Sequence, residues 1–178
     1  MRKLAKTILC CLPFLGTACS SSNDIVTTTV PQLDLEKYVG KWYEVARFDH
    51  RFERDLVGCT ANYSVNDDGT IKVVNAGYEE SFAGKYKVSE GKARRPDENV
   101  PGQLEVSFFA WFYSEYNVME LADDYRYALV GSKTDNYLWI LSRTPQLDPA
   151  DKEFLLRQAQ ARGYNTDNLI WVPQETDW

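Results

Sequence analysis

From Lys41 onward the chain is cut into short segments of period-two hydrophobicity, separated by turn residues, and this pattern limits the fold more than any other feature. Trp42 to Phe48 forms one such segment. Cys59 to Asn66 follows and is closed by Asp67-Asp68-Gly69, whose glycine supplies the positive φ of a tight hairpin. Thr70 to Tyr78, Phe82 to Glu90, Gln103 to Phe109, Tyr116 to Leu121, Tyr125 to Ser132 and Tyr137 to Ser142 bring the count to about eight. The period then changes. Asp148 is a good N-cap with Pro149 in the first helical position, and Phe154, Leu155, Gln158, Ala159 and Arg162 recur at helical spacing until Gly163. A short apolar run, Leu169 to Val172, reads as a final strand. The fold class expected is all-β: an eight-stranded antiparallel up-and-down barrel with one C-terminal α-helix packed outside. A barrel of that size encloses one small ligand. A Greek-key sandwich is the alternative, but it needs longer crossing connections than these hairpins.

The N-terminus is built as a targeting segment. Arg2, Lys3 and Lys6 precede an apolar run from Ile8 to Leu15, and Gly16-Thr17-Ala18 offers small residues before Cys19. The run is too short to span a bilayer core of ~30 Å. This layout resembles a bacterial lipoprotein signal, which implies that Cys19 becomes the acylated N-terminus; Gly16 departs from the usual Leu three places before that cysteine. The alternative is an ordinary secretory peptide. The expected organisation is a signal peptide over 1–18, a lipidated N-terminus and linker over 19–32, a β-barrel domain over 33–173 and a tail over 174–178. Ser20 after the cysteine lacks the Asp associated with inner-membrane retention, so the resemblance implies the outer membrane.

Removal of residues 1–18 takes away three basic and no acidic residues, leaving 17 Lys and Arg against 26 Asp and Glu, a net charge of −9. Such a domain is a poor binder of nucleic acid or of anionic lipid surfaces. Its four cysteines reduce to Cys59 once Cys10 and Cys11 leave with the signal and Cys19 is acylated, so no intramolecular disulfide is available to the domain.

Gly40-Lys41-Trp42-Tyr43-Glu44 resembles the Gly-x-Trp motif of the lipocalin family, which opens its first barrel strand. Tyr137 to Pro145 resembles the end of the last strand, where the family places an arginine over that tryptophan. Phe48 to Arg54, Val106 to Phe109 and Tyr116-Asn117-Val118 are similar to bacterial outer-membrane lipoprotein lipocalins and the apolipoprotein-D-like branch. The similarity runs from about Leu33 to Val172. It implies that Gly40, Trp42 and Arg143 form a sealed floor, with the guanidinium stacked on the indole at ~0.5–2 kcal/mol, and that a small hydrophobic ligand, a fatty acid or lysophospholipid, sits in an apolar calyx.

Strand parity nominates the wall. If Trp42 points inward, Glu44, Ala46 and Phe48 share its face, while Tyr43, Val45 and Arg47 point outward. If Arg143 points inward, so do Leu141, Trp139 and Tyr137, and Ile140 and Leu138 face the helix. Val106, Phe108, Tyr116 and Val118 complete the expected lining. Glu44 and Tyr137 are its polar members, available to a head group or to a structural hydrogen bond. No cofactor is called for and no His or Cys cluster suggests a metal. His50, the single histidine, is expected in a solvated loop at the open end. Cys59 defines the alternative function, a thiol-dependent isomerase or lipid-modifying enzyme, although no activating cation is evident nearby in sequence. A third reading assigns the apolar hairpin Phe109 to Tyr113 to docking on a membrane, a partner or a second copy.

Overall fold

The computed structural model describes residues 25–109 and 111–175 of the 178-residue chain. Cys19 and the signal segment therefore lie outside the described residues. A short helix α1 (Leu35–Tyr38) leads into β1 (Gly40–Phe48), and seven further strands follow in sequence: β2 (Leu56–Val65), β3 (Ile71–Glu79), β4 (Tyr86–Arg94), β5 (Gln103–Phe109), β6 (Phe112–Leu121), β7 (Tyr127–Gly131) and β8 (Leu138–Ser142). Each strand pairs antiparallel with the next, and β1 pairs with both β8 and β2, so the sheet closes. After β8 come α2 (Pro149–Ala161) and β9 (Leu169–Trp171). The helix begins where its cap chemistry requires, with the Asp148 side chain accepting from the Ala150 N–H at 2.8 Å. Gly163 ends it at φ +93°.

Two apolar layers result. The inner one fills the barrel with Trp42, Ala61, Tyr63, Ile71, Val73, Leu104, Val118, Val130 and Leu141. The outer one lies between the barrel wall and α2, where Leu138, Ile140, Leu129, Leu155 and Ala159 are fully buried. Leu138 and Ile140 thus face the helix, as strand parity requires.

The first strand does not keep one parity throughout. Glu44 pairs with Leu141 but Ala46 pairs with Ile140, so Val45 is an extra residue, a β-bulge. Trp42 and Glu44 point inward. Beyond the bulge Ala46 and Phe48 turn outward into the layer under the helix, and Arg47 turns inward. Both outward placements correct the sequence expectation, and so does the inward arginine. Phe48 packs edge-on against Tyr164, with ring centroids 6.0 Å apart, and does not line the barrel.

The wall also has a seam. β1 pairs with β2 only from Gly40 to Tyr43; higher up the same edge of β1 pairs with β9. The chain after β9 stitches the gap. Gly58 N–H donates to the Pro173 carbonyl at 2.8 Å, and Gln174 Nε2 donates both to Glu44 O at 2.7 Å and to Cys59 O at 3.1 Å, joining the two strands through one amide.

Candidate functional site: the barrel interior and its mouth

The floor is built from both ends of the barrel sequence. Gly40 has φ +94°, a conformation that glycine adopts without strain, and this lets β1 enter beneath α1. Trp42 is fully buried and donates from Nε1 to the Tyr38 carbonyl at 2.7 Å. The Arg143 guanidinium carbon stands 3.8 Å from the Trp42 ring centroid. Its nitrogens donate to the carbonyls of Lys41 at 2.8 Å, Lys37 at 2.7 Å, and Tyr38 and Val39 at 3.1 Å each. One cation thereby covers the indole and satisfies the carbonyl end of α1. Arg143 does this work from the rim of the floor and does not enter the barrel.

Just above lies a cluster of tyrosines. The Tyr116 hydroxyl is 2.7 Å from that of Tyr38 and 3.0 Å from that of Tyr63. Burial pushes all three phenols upward, so they remain neutral. Tyr116 is thus spoken for by partners at the floor. Val118 is fully buried in the inner layer, and Val106, Phe108 and Trp139 pack against that layer part-buried. Phe108 lies on Gly91, where an added Cβ would approach its ring to 2.8 Å. Tyr137 is drawn to the mouth, its ring stacked on Trp139 with centroids 5.8 Å apart.

The mouth contains charge that the sequence concealed. Glu44 and Arg47 form a buried ion pair at 2.8 Å. Arg47 Nη2 also donates to the carbonyls of Glu53 and, at 3.2 Å, of Leu56. The loop 49–55 folds inward and delivers His50 and Glu53 to the same chamber. The Glu53 carboxylate accepts from Trp139 Nε1 at 3.2 Å and from Asn75 Nδ2 at 3.5 Å. His50 Nε2 stands 2.8 Å from Glu53 Oε2, close but off-axis for a hydrogen bond, and its ring lies 5.3 Å from Trp139 and 5.8 Å from Tyr137. The His50 side chain is 9% exposed, so this histidine is buried in the mouth and not solvated as its polar neighbours suggested. Neither Glu53 nor Arg47 was nominated from the sequence; the only hint was an unusual density of charge straight after an inward strand.

The two carboxyls divide their roles. Burial, reinforced by the charge of Glu53, pushes the Glu44 carboxyl well above the usual range even against Arg47. Burial also penalises the Glu53 charge, but His50 and Trp139 outweigh it and hold this carboxyl below its ordinary value. Glu44 therefore takes up a proton first and Glu53 stays ionised.

Cys59 is 3.7 Å from Arg47 Nη1, a cation that sequence inspection did not place there. Burial nevertheless pushes the thiol up to about 12, with Glu44 adding to the effect, so almost no thiolate exists at neutral pH. That environment opposes the thiol-enzyme reading. There are concavities of about 460 and 440 Å³, one along the seam beside Arg47, Leu56 and Pro173 and one beside Lys72, Gly91, Phe108 and Tyr113. Among the described residues no cluster of His, Cys, Asp or Glu is arranged to hold a metal ion.

A lipocalin-like domain model matches residues 33–174. The chain belongs to the lipocalin family. Relatives of this lipocalin include the outer membrane lipoprotein Blc of Escherichia coli strain K12, 44% identical over 175 residues that cover 98% of each chain. Apolipoprotein D of Bos taurus is 37% identical over 130 residues, covering 68% of this lipocalin and 67% of the relative. Among solved structures, the cockroach allergen Per a 4 superposes with a TM-score of 0.67 at 24% identity, over 86% of this chain and 96% of its own, a likeness of fold.

Proposed function

We propose that this lipocalin binds single-chain lipids, a fatty acid or a lysophospholipid, inside its barrel and stores or carries them at the bacterial outer membrane, to which an acylated Cys19 tethers it. The observation that carries the reading is the contrast between a floor sealed by Trp42 and Arg143 and an inner wall of apolar and aromatic side chains leading to a polar mouth. Val106, Phe108, Val118 and Trp139 would contact the acyl chain, at ~0.8 kcal/mol per buried methylene and with little demand on its length. Tyr137 belongs to the mouth and Glu44 to the polar end. Phe48 drops out of the contact set because the bulge turns it towards α2. The near-full-length likeness to outer membrane lipoproteins supports the location.

The exposed side chains Phe109, Trp111 and Phe112 at the open end, 68%, 90% and 70% exposed, support a contact with a second copy.

Native mass spectrometry after mild purification, followed by delipidation and uptake of a defined fatty acid, tests the central reading. Co-purified single-chain lipid and saturable uptake are expected. A chain that emerges empty and takes up nothing overturns it.

A further inference from the structure

The inner mouth holds an assembly of donors arranged round a carboxylate that the chain itself supplies. Trp139 Nε1, Asn75 Nδ2 and His50 converge on Glu53, and Arg47 reaches the backbone of the same residue. Glu53 does not belong to the barrel wall. It comes from the connecting loop between β1 and β2, which is held by three backbone bonds: Glu53 N–H to His50 O at 3.2 Å and Leu56 N–H to Glu53 O at 3.1 Å within it, and Glu80 N–H to Asp55 O at 2.7 Å at its far end. Arg47, Asn75 and Trp139, in contrast, sit on β1, β3 and β8, while His50 shares the loop with Glu53. Hydrogen-bonding capacity is left over in the chamber. Arg47 Nε and both ring nitrogens of His50 are buried without partners, and Arg47 is only 2% exposed. Buried polar groups normally find partners, so a group of orphans around one anion is a sign of a second occupant.

Resting on the lipid-binding function proposed above, we propose that Glu53 stands in for the anionic head group of the ligand: the carboxylate or phosphate of the lipid binds at Trp139 Nε1, Asn75 Nδ2 and Arg47, and loop 49–55 carries Glu53 and His50 out to make room.

Charge balance makes the exchange obligatory. The closed chamber holds Glu44 and Glu53 round Arg47 and the His50 ring. An anion added beside the ionised Glu53, in a site shielded from water, is opposed by repulsion that the single guanidinium does not offset, whether or not Glu44 has taken up its proton. Replacing one anion by another leaves the sum unchanged. The ligand is therefore selected for a negative head as well as for an apolar chain. A neutral head group fills the barrel but cannot displace Glu53 on equal terms. The loop acts as an internal competitor, and the affinity observed is the intrinsic one scaled by the fraction of molecules in which Glu53 is out.

The test compares a fatty acid with the fatty alcohol of the same chain length on the full-length protein in one non-ionic detergent, reported as the acid-to-alcohol affinity ratio, in which partitioning into detergent cancels between variants. Glu53→Gln removes the competing charge and is expected to raise that ratio by about tenfold, the change for a loop that is out in roughly one molecule in ten. Trp139→Phe keeps the ring but loses the Nε1 donor, and is expected to lower the ratio severalfold while alcohol binding persists. Thermal melts of each variant certify the fold. If acid and alcohol bind alike in the native protein and in both variants, the head-group site is wrong while the lipid-binding function stands. If neither lipid binds, that function fails first. A titration with acetate and inorganic phosphate alone, followed by tryptophan fluorescence, should give no saturable response at millimolar concentration. A saturable response that Glu53→Gln strengthens would make this a site for free anions and overturn the lipid assignment.

Discussion

Replacement of Arg143 by Ala isolates the energetics of the floor. The side chain stacks on Trp42 at 3.8 Å and donates to five carbonyls, two of them at 2.8 Å or less. The stack is worth about 1 kcal/mol at this half-exposed place. Charge-assisted bonds give more than neutral ones, but water re-enters a half-exposed site and recovers part of each, so the two short bonds together are credited with about 2–3 kcal/mol. The expected cost is about 3–4 kcal/mol, with the melting temperature lowered by roughly 6–16 °C for a domain of this size. Urea denaturation followed by tryptophan fluorescence measures it. Arg143→Lys keeps a charge over the ring but loses the fork that reaches several carbonyls, so it should recover only about 1 kcal/mol. A double-mutant cycle with Trp42→Leu should return a coupling energy on the order of 1 kcal/mol. A loss below about 1 kcal/mol for Arg143→Ala, or a Lys variant as stable as the native protein, would refute the reasoning. Lipid affinity of the folded variant should be unchanged, because the arginine lies beneath the floor.

Glu44→Gln should flatten the pH dependence of stability. A carboxyl held above its unfolded value binds an extra native proton, so stability declines as pH rises from the unfolded carboxylate range near ~4.3 towards the raised native value; Glu53 acts in the opposite direction only at lower pH, where protonation removes the contribution of its lowered value. Equal slopes for native protein and variant in urea titrations between pH 4.5 and 8 would contradict this. Cys59 should fail to react with a disulfide reagent in the folded state at pH 8 and react once unfolded in urea, since burial drives the thiol to about 12; rapid reaction of the folded protein would revive the thiol-enzyme reading. Trp111→Ser with Phe112→Ser should alter stability by less than ~0.5 kcal/mol, both side chains being exposed, yet lower the dimer fraction in sedimentation equilibrium. An unchanged mass distribution would argue against that contact.

The broad plan of the molecule was open to sequence reasoning because its signals are local. Turn residues cut the strands, Asp148 and Gly163 bracket α2, and period two sorts Leu138 and Ile140 from Trp139 and Leu141. The contact of Arg143 with Trp42 was accessible through family resemblance, since it joins residues 101 positions apart. The bulge at Val45 escaped because GKWYEVARF alternates smoothly enough to hide an added residue; only pairing with β8 reveals it. The inward turn of His50 and Glu53 escaped for a different reason. Charged residues in a loop read as solvated unless their partners are known, and the Trp139 that receives Glu53 is 86 residues away. α1 was missed too, a four-residue helix being too short to show a period.

The added residue at Val45 also acts as a selector. Were Val45 instead paired in the ladder, unbroken alternation along β1 would carry Phe48 into the cavity and set Arg47 under α2, exchanging an ionic lining for a greasy one while altering no side chain's identity. The polarity of this container is thus encoded in the pairing register of one strand as much as in its composition. Loss of Val45 itself would keep Arg47 inside and Phe48 under the helix on a regular strand, so it takes a change of pairing, and not of length, to trade a charged cargo site for a neutral one.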